Sequence, residues 1–392
     1  MPTAEPAPAA STASAQALDC AYFDAWRCRS CSLLETPYAR QLAEKQARVA
    51  DALPETAWEP PFASAVAGFR NKAKMAVAGS VDALTLGILA ADGTGIDLQA
   101  CPLHEAPIVD AMPVLEGLVR EARLTPYDVP SRRGELKHLV LTASPDGELA
   151  LRLVLRSTEA LPRVHKHLPG LLEALPLASV SVNLQPEHKA VLEGDQELVL
   201  HGGTLRMRVG GVPLRLKPRS FFQTNTGVAA GLYAEATAWI GEEPPASLLD
   251  LYCGVGGFAL HATVGAAGAG GAGRMRVAGV EVAADAIEAA RETAAELGGE
   301  ADFRVGDATA VDLEGERAPE LVVVNPPRRG IGALAGRLDA SAVRRVVYSS
   351  CNPVTLARDL AAMPGFRPVR ARLFDMFPHT GHAEVLVDLR RA

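Results

Sequence analysis

Three groups of residues in this 392-residue chain have types and spacings that can do chemistry. The first is the thiol of Cys351, in Tyr348-Ser349-Ser350-Cys351-Asn352-Pro353. It directly follows the apolar run RRVVYSS and so stands at the end of an expected strand, where a thiolate can act as a nucleophile. The second is Glu384, in Phe377-Pro378-His379-Thr380-Gly381-His382-Ala383-Glu384-Val385, a carboxylate able to take up a proton. The third is a set of four cysteines, Cys20, Cys28 and Cys31 in the spacing C-x7-C-x2-C, and Cys101 in Cys101-Pro102-Leu103-His104. Four thiolates with a proline after the last suit a [4Fe-4S] cluster or tetrahedral zinc, and spacing leaves both open. Taken singly, each group also has a blander reading: a free cysteine is usually packing material, and a carboxylate is often an arginine's partner.

The elements that must position these groups are legible around them. From Ser247 onward, the runs SLLDLY, VAGVEV, LVVVN and RRVVYSS alternate with helical stretches at 284–297 and 353–363, the pattern of a parallel, doubly wound α/β sheet. The first strand ends in Tyr252-Cys253-Gly254-Val255-Gly256-Gly257-Phe258, a glycine-rich turn opening a helix, where a ligand can approach the backbone closely. The second ends in Glu281, whose carboxylate can accept both hydroxyls of a ribose. Asp307 follows the third strand and Asn325-Pro326-Pro327 the fourth. G-x-G-x-x-G is absent, because Phe258-Ala259 replaces its third glycine, so these strand ends point to S-adenosylmethionine more than to NAD, which remains the alternative.

Which atom would be methylated follows from the neighbours of that turn. Arg328 and Arg329, not an aromatic ring, follow Asn-Pro-Pro, which disfavours methylation of an exocyclic amine. A thiol at the same sheet edge fits a covalent route instead. Carbon 5 of uracil is a poor nucleophile, but a thiolate adding to carbon 6 makes it enolate-like and able to attack a methyl sulfonium. A base must then take the C5 proton before the thiol leaves, and Glu384 is the candidate.

The rest of the chain supplies context. Residues 37–53 have helical periodicity, ended by Pro60-Pro61, and residues 69–200 read as a small β-rich domain with inserted helices such as 107–123. Residues 1–17 read as a disordered tail rather than a signal peptide, and 265–273 as a flexible insertion. The expected division is a tail over 1–17, a cysteine-bearing segment with a β-rich, RNA-binding central domain over 18–205, and a methyltransferase domain over 206–392. The longest run without a charged residue, 251–273, carries eight glycines and a histidine, so no membrane span is expected. A reducing, cytoplasmic setting with free thiols is expected. The 46 acidic and 39 basic residues give a net charge of −7, which at first argues against a polyanionic partner. Basic residues are nonetheless concentrated: Arg70, Lys72 and Lys74 in one stretch, and Arg206, Arg208, Arg215, Lys217 and Arg219 in another without Asp or Glu. Such patches can neutralise phosphates despite the overall charge.

The runs LDLYCGVGGF, VVVNPPRRGIG, YSSCNP and LFDMFPHTGHAEVL resemble the RNA uracil-C5 methyltransferases, most closely the branch acting on 23S ribosomal RNA, and the resemblance extends from Cys20 nearly to the C-terminus. It implies a Rossmann-like methyltransferase fold, with Cys351 as nucleophile and Glu384 as general base. It also implies S-adenosylmethionine contacts from Tyr252, Glu281, Asn325 and Gln223 of Phe221-Phe222-Gln223-Thr224-Asn225, and a [4Fe-4S] cluster on Cys20, Cys28, Cys31 and Cys101. Tyr252 stands where the closest relatives often have Phe, which keeps an aromatic face. Asn325 stands where the tRNA-acting branch has Asp, which favours the ribosomal branch. The implied reaction is methylation of a specific uridine of the uracil-747 type in 23S rRNA. That uridine must leave its stack, so a single-stranded loop or an opened helix is the expected substrate, and a monomer the expected state. A tRNA uracil-C5 methyltransferase and a non-catalytic RNA-binding ribosome assembly factor are the competing readings.

Overall fold

The computed structural model describes residues 18–189, 191–268, 275–315 and 318–392. The expected tail over 1–17 and most of the glycine-rich insertion lie outside them; residues 265–268 belong to a helix. Near the N-terminus, helix α1 (Ala21–Asp24) follows Cys20, and Pro37 precedes α2 (Tyr38–Ala50), its fixed φ suiting a helix start. One face of α2 buries Tyr38, Leu42 and Val49, with Gln41 and Lys45 buried beside them. This face shares a core with Leu251, Val324, Tyr348 and Leu373, so α2 is built into the C-terminal half of the protein. The short strand β1 (Ala57–Trp58) follows.

A seven-stranded sheet fills the middle of the chain. It comprises β2 (Lys72–Gly79), β3 (Leu84–Leu89), β4 (Gly95–Asp97), β5 (Leu136–Ala143), β6 (Leu149–Leu155), β7 (Leu177–Leu184) and β8 (Gln196–His201), in the order β4-β3-β2-β5-β6-β7-β8. Helices α3 (Ala106–Glu121) and α4 (Leu161–Ala174) bury Ile108, Leu115, Val119, Val164 and Leu171 against Leu139 and Leu153 of the sheet. A hairpin, β9 (Leu205–Val209) and β10 (Val212–Leu216), then turns on Gly210 and Gly211, whose φ of +52° and +88° a glycine pair adopts at little steric cost. Alternation sends Leu205, Met207 and Val209 inward and Arg206 and Arg208 outward.

The C-terminal half is an α/β sandwich: α5 (Thr226–Glu242), β11 (Ser247–Leu251), α6 (Gly257–Gly268), β12 (Arg276–Glu281), α7 (Ala284–Glu296), β13 (Ala301–Val305), β14 (Leu321–Val324), α8 (Ala333–Ala340), β15 (Arg345–Ser350), α9 (Pro353–Ala361), β16 (Phe366–Phe374) and β17 (Glu384–Arg391). The sheet order is β1-β16-β17-β15-β14-β11-β12-β13. Strands β11 to β15 are mutually parallel, as their apolar runs imply. The sheet departs from the all-parallel expectation at β17, which is antiparallel to both neighbours. The nine residues 375–383 between β16 and β17 are too few for a crossover, which needs a dozen or more, so the chain returns as a hairpin. This return brings the first residue of β17 to the edge where β11 to β15 end. Between β11 and β14 the strand order reverses, leaving the crevice in which such sheets bind ligands.

Candidate active site

Cys351 and Glu384 meet because of strand register. Ser350 pairs with Val385 and Ser349 with Leu386, so Cys351 and Glu384 are the next opposed positions, one just past β15 and the other opening β17. Glu384 is buried, and that burial pushes its carboxyl up to about 7. The Ser349 hydroxyl donates to Glu384 Oε1 and opposes that rise by favouring the carboxylate. Cys351 is half-buried, and its thiol lies above its ordinary value, first from burial and then from the Glu384 carboxylate, with the Arg328 guanidinium pulling the other way. The thiol is thus protonated at rest, next to a carboxyl poised near neutrality and a fixed cation.

The loop behind the thiol is tightly held. Asn352 Oδ1 caps α9 by accepting from Val354 N at 3.1 Å, while its Nδ2 donates to Arg328 O at 2.9 Å. The residue after Cys351 therefore also fixes the Asn-Pro-Pro-Arg loop. On the far side of that loop, the buried Asp359 accepts from Ile331 N at 2.7 Å and from the Tyr348 hydroxyl at 2.8 Å.

Cys351, Glu384 and Arg328 line a cleft of about 1280 Å³ that also receives Gln223, Tyr252, Glu281, Asn325 and Asp307. All six expected catalytic and cofactor side chains share it. The volume exceeds what one small ligand needs, which leaves room for a nucleobase beside a nucleoside cofactor. Tyr252 has φ +60°, a strained conformation for a tyrosine, and begins the turn. A Cβ at Gly256 would stand 2.9 Å from the Phe303 ring, and one at Gly257 2.6 Å from the Tyr233 hydroxyl, so the turn closes only with glycine there. Glu281 Oε2 accepts from Gly254 N at 3.3 Å and Oε1 from Ala283 N at 3.1 Å, which orients the carboxylate at the crevice. Asp307 accepts from Thr309 N at 2.8 Å, and this bond with the Thr309 hydroxyl holds its carboxyl below the usual range. Phe221 is 72% exposed at the cleft wall while Phe222 is buried.

Several residues that set this geometry carry no motif-level signal. Asn71, fully buried, donates from Nδ2 to Gln223 O at 3.0 Å and to Thr226 Oγ1 at 2.8 Å, and so holds the Phe-Phe-Gln turn from the central sheet. Gln41 donates to Leu33 O and Thr36 O and accepts from His379 N at 2.9 Å. Lys45 reaches Asp375 and Phe377 O. The contacts of Asn71 and Lys45, and that of Gln41 with His379, span long stretches of chain, which is why local pattern could not reveal them.

The four N-terminal thiols are drawn together, outside this cleft. Cys20, Cys28, Cys31 and Cys101 are free and partly buried. The Cys31 thiol is pushed up to about 11, by burial and then by Cys101, Cys20 and Cys28. Ala100 N donates to the Tyr22 hydroxyl at 3.1 Å, joining the two segments. Among the described residues, no three His, Cys, Asp or Glu side chains form a group that could hold a metal ion.

The longer basic stretch is not the free surface expected of it. Arg206 and Arg215 pair with Glu296 and Lys217 with Glu288, because the hairpin lies against α7, whose acidic residues neutralise it, while Arg208 pairs with Asp146 in the turn between β5 and β6. Arg328 and Arg329, by contrast, make no ion pair among the described residues and line the cleft. Among the described residues no helix is long and apolar enough to cross a membrane.

Comparison with known proteins agrees with this geometry. A family model described as tRNA (Uracil-5-)-methyltransferase matches residues 192–392. The 23S rRNA (uracil(747)-C(5))-methyltransferase RlmC of Halothiobacillus neapolitanus is 48% identical over 95% of this chain and 100% of its own length. The protein of the same name from Cronobacter sakazakii is 46% identical, again over 95% and 100%. Among solved structures, the Pyrococcus abyssi tRNA (uracil-54, C5)-methyltransferase in complex with S-adenosyl-L-homocysteine aligns with a TM-score of 0.76 at 26% identity, covering 92% of this chain and 85% of that one.

Proposed function

Because the chain belongs to the RNA uracil-C5 methyltransferase family, we propose that it transfers a methyl group from S-adenosylmethionine to carbon 5 of a uridine of the uracil-747 type in 23S rRNA. The observation that carries this reading is the convergence of Cys351, Glu384, Glu281 and Asn325 on one cleft wide enough for a cofactor and a flipped base. Cofactor contacts are assigned to Gln223, Tyr252, Glu281 and Asn325, with the Glu281 carboxylate accepting ribose hydroxyls and the Tyr252 ring offering a stacking face. Bound S-adenosylmethionine supplies an electrophilic methyl group.

The protein's own groups do the rest. The Cys351 thiol, only partly buried, gives its proton to solvent and its sulfur adds to uracil C6, the C5–C6 π electrons moving through C4 to O4. Arg328, next to the thiol, favours the thiolate. Carbon 5 then takes the methyl group, the electrons of the broken S–CH3 bond remaining on the departing sulfur. Glu384 takes the C5 proton, those C–H electrons restore the C5–C6 double bond, and the C6–S bond breaks to return the thiolate. A carboxyl near 7 is partly ionised at neutral pH and well matched to that transfer.

Cys20, Cys28, Cys31 and Cys101 are the residues assigned to a [4Fe-4S] cluster. Four soft thiolates with no imidazole or carboxylate among them suit iron–sulfur chemistry. The RNA is read as a loop or opened helix entering past Phe221, Arg328 and Arg329, in the cytoplasm, by a monomer.

Two measurements test the reading. Mass spectrometry of 23S rRNA from a deletion strain should lack one 5-methyluridine that complementation restores. Purified protein should methylate a 23S fragment and not tRNA. Activity on tRNA alone would move the reading to the tRNA branch, which the likeness to the archaeal tRNA enzyme keeps open. Cofactor binding without turnover on any RNA would favour an assembly factor.

A further inference from the structure

We infer that Ser349 is a positioning residue for the general base, holding one oxygen of Glu384 so that the other faces the C5 proton of the methylated uracil adduct. This inference rests on the covalent reading above and deepens it. Alternation along β15 puts Ser349 and Cys351 on one face of the strand and Ser350 on the other, where the Ser350 hydroxyl accepts from Asn352 N at 3.2 Å. On β17, Glu384 and Leu386 share a face by the same rule. With Ser349 opposite Leu386, the Ser349 hydroxyl reaches Glu384 diagonally across the ladder, a separation that side chains span readily.

Ser349 is fully buried and Glu384 nearly so, so the hydroxyl must find a protein partner, and it finds Oε1. Among the described residues no other group is hydrogen-bonded to this carboxylate. Oε2 is left to the cleft that Glu384 and Cys351 both line. The hydroxyl therefore does two things. It fixes the carboxyl plane, and by donating to the ionised form it keeps Glu384 able to accept a proton near neutral pH against the rise that burial imposes. Addition of Cys351 to C6 and methyl transfer to C5 use neither effect. Breakdown of the adduct uses both, since Oε2 must take the C5 proton while the C5–C6 double bond re-forms and the C6–S bond breaks.

The test compares the full-length wild type with Ser349→Ala and Ser349→Thr on a 23S fragment in the presence of S-adenosylmethionine. With 5-fluorouracil in place of the target base, which has no C5 proton to lose, Ser349→Ala should form the covalent adduct at the wild-type rate. With natural RNA its turnover at pH 7 should fall roughly tenfold, a methylated protein–RNA adduct should accumulate on denaturing gels, and the acid limb of kcat should move up by about one pH unit. Ser349→Thr, which keeps the hydroxyl, should return the limb toward its wild-type position. Unchanged turnover and limb in Ser349→Ala would overturn the inference. So would slower turnover with no accumulated adduct and no shift of the limb, since that is the signature of packing alone. If the wild type itself forms no adduct with 5-fluorouracil RNA, the covalent reading falls and this inference with it.

Discussion

Lys45 and Asp375 form an ion pair in which neither side chain is more than 1% exposed, Nζ lying 2.5 Å from Oδ1. Lys45 Nζ also donates to Phe377 O at 3.1 Å, so helix α2 pins the start of the loop that ends at Glu384. A pair this buried is held against its desolvation cost by geometry, and removing one partner strands the other's charge. Lys45→Met should therefore destabilise the protein by about 3–5 kcal/mol in chemical denaturation. The double variant Lys45→Met/Asp375→Leu should recover much of that stability while turnover stays low, because the loop has lost its anchor. Full recovery of turnover in the double variant would show that the pair serves stability alone.

Cys351→Ala should leave cofactor affinity within about twofold, yet abolish both turnover and the covalent adduct with 5-fluorouracil RNA. In the wild type, the rate of adduct formation should climb as pH rises above neutrality. The thiol lies above its ordinary value, so the thiolate fraction is small at pH 7 and grows with each unit of pH. Titration of single-turnover rates checks this, and a rate that is flat from pH 7 to 9 would mean that RNA binding has already generated the thiolate.

Glu384→Gln should lower kcat by about 10²- to 10⁴-fold while adduct still forms. It should also remove a stability trend. The folded protein holds the Glu384 proton to about 7 against an ordinary 4.5, so the native state binds more protons than the unfolded one between those values. Stability therefore falls as pH rises through that window and is lowest above 7. The glutamine variant lacks this term and can still accept the Ser349 hydrogen bond. It should exceed the wild type in stability at pH 8 by on the order of 3 kcal/mol, with the gap closing below pH 4.5. Denaturation midpoints at the two pH values decide it.

What sequence could reveal was what strand ends reveal. Cys351, Glu281 and Asn325 each follow a short apolar run, and a parallel sheet puts all such ends on one edge, so their convergence was readable without coordinates. Glu384 was readable as a carboxylate, but its place opposite Cys351 depends on β17 running antiparallel, which follows from loop length rather than from any local pattern. Ser349, Asn71 and Lys45 were hidden for a different reason. Each acts through hydrogen bonds to partners distant in sequence or across a ladder, and a single buried serine, asparagine or lysine has no periodicity to mark it. The basic stretch from Arg206 to Lys217 misled because sequence displays charges but not their partners, and α7 supplies those of Arg206, Arg215 and Lys217 from some eighty residues downstream.

The cysteine segment is fastened to the same loop that leads into Glu384, which gives any metal it holds a measurable consequence. Leu33, two residues beyond Cys31, donates its amide to His379 O at 2.9 Å, and Gln41 binds both Leu33 O and His379 N. His379 in turn makes a 2.7 Å bond to Val66 O. If the four thiolates hold a [4Fe-4S] cluster, protein purified without oxygen should carry close to four iron and four sulfide per chain and no stoichiometric zinc. Cys28→Ser should lose that iron. It should also speed amide hydrogen exchange at Leu33 and His379, because the segment that carries these bonds is no longer held at its cysteine end. Exchange should stay unchanged in the strands β11 to β15, whose packing does not touch the segment. Zinc in place of iron would reassign the metal, and loss of iron with unaltered exchange at Leu33 and His379 would show that the loop is held by α2 alone.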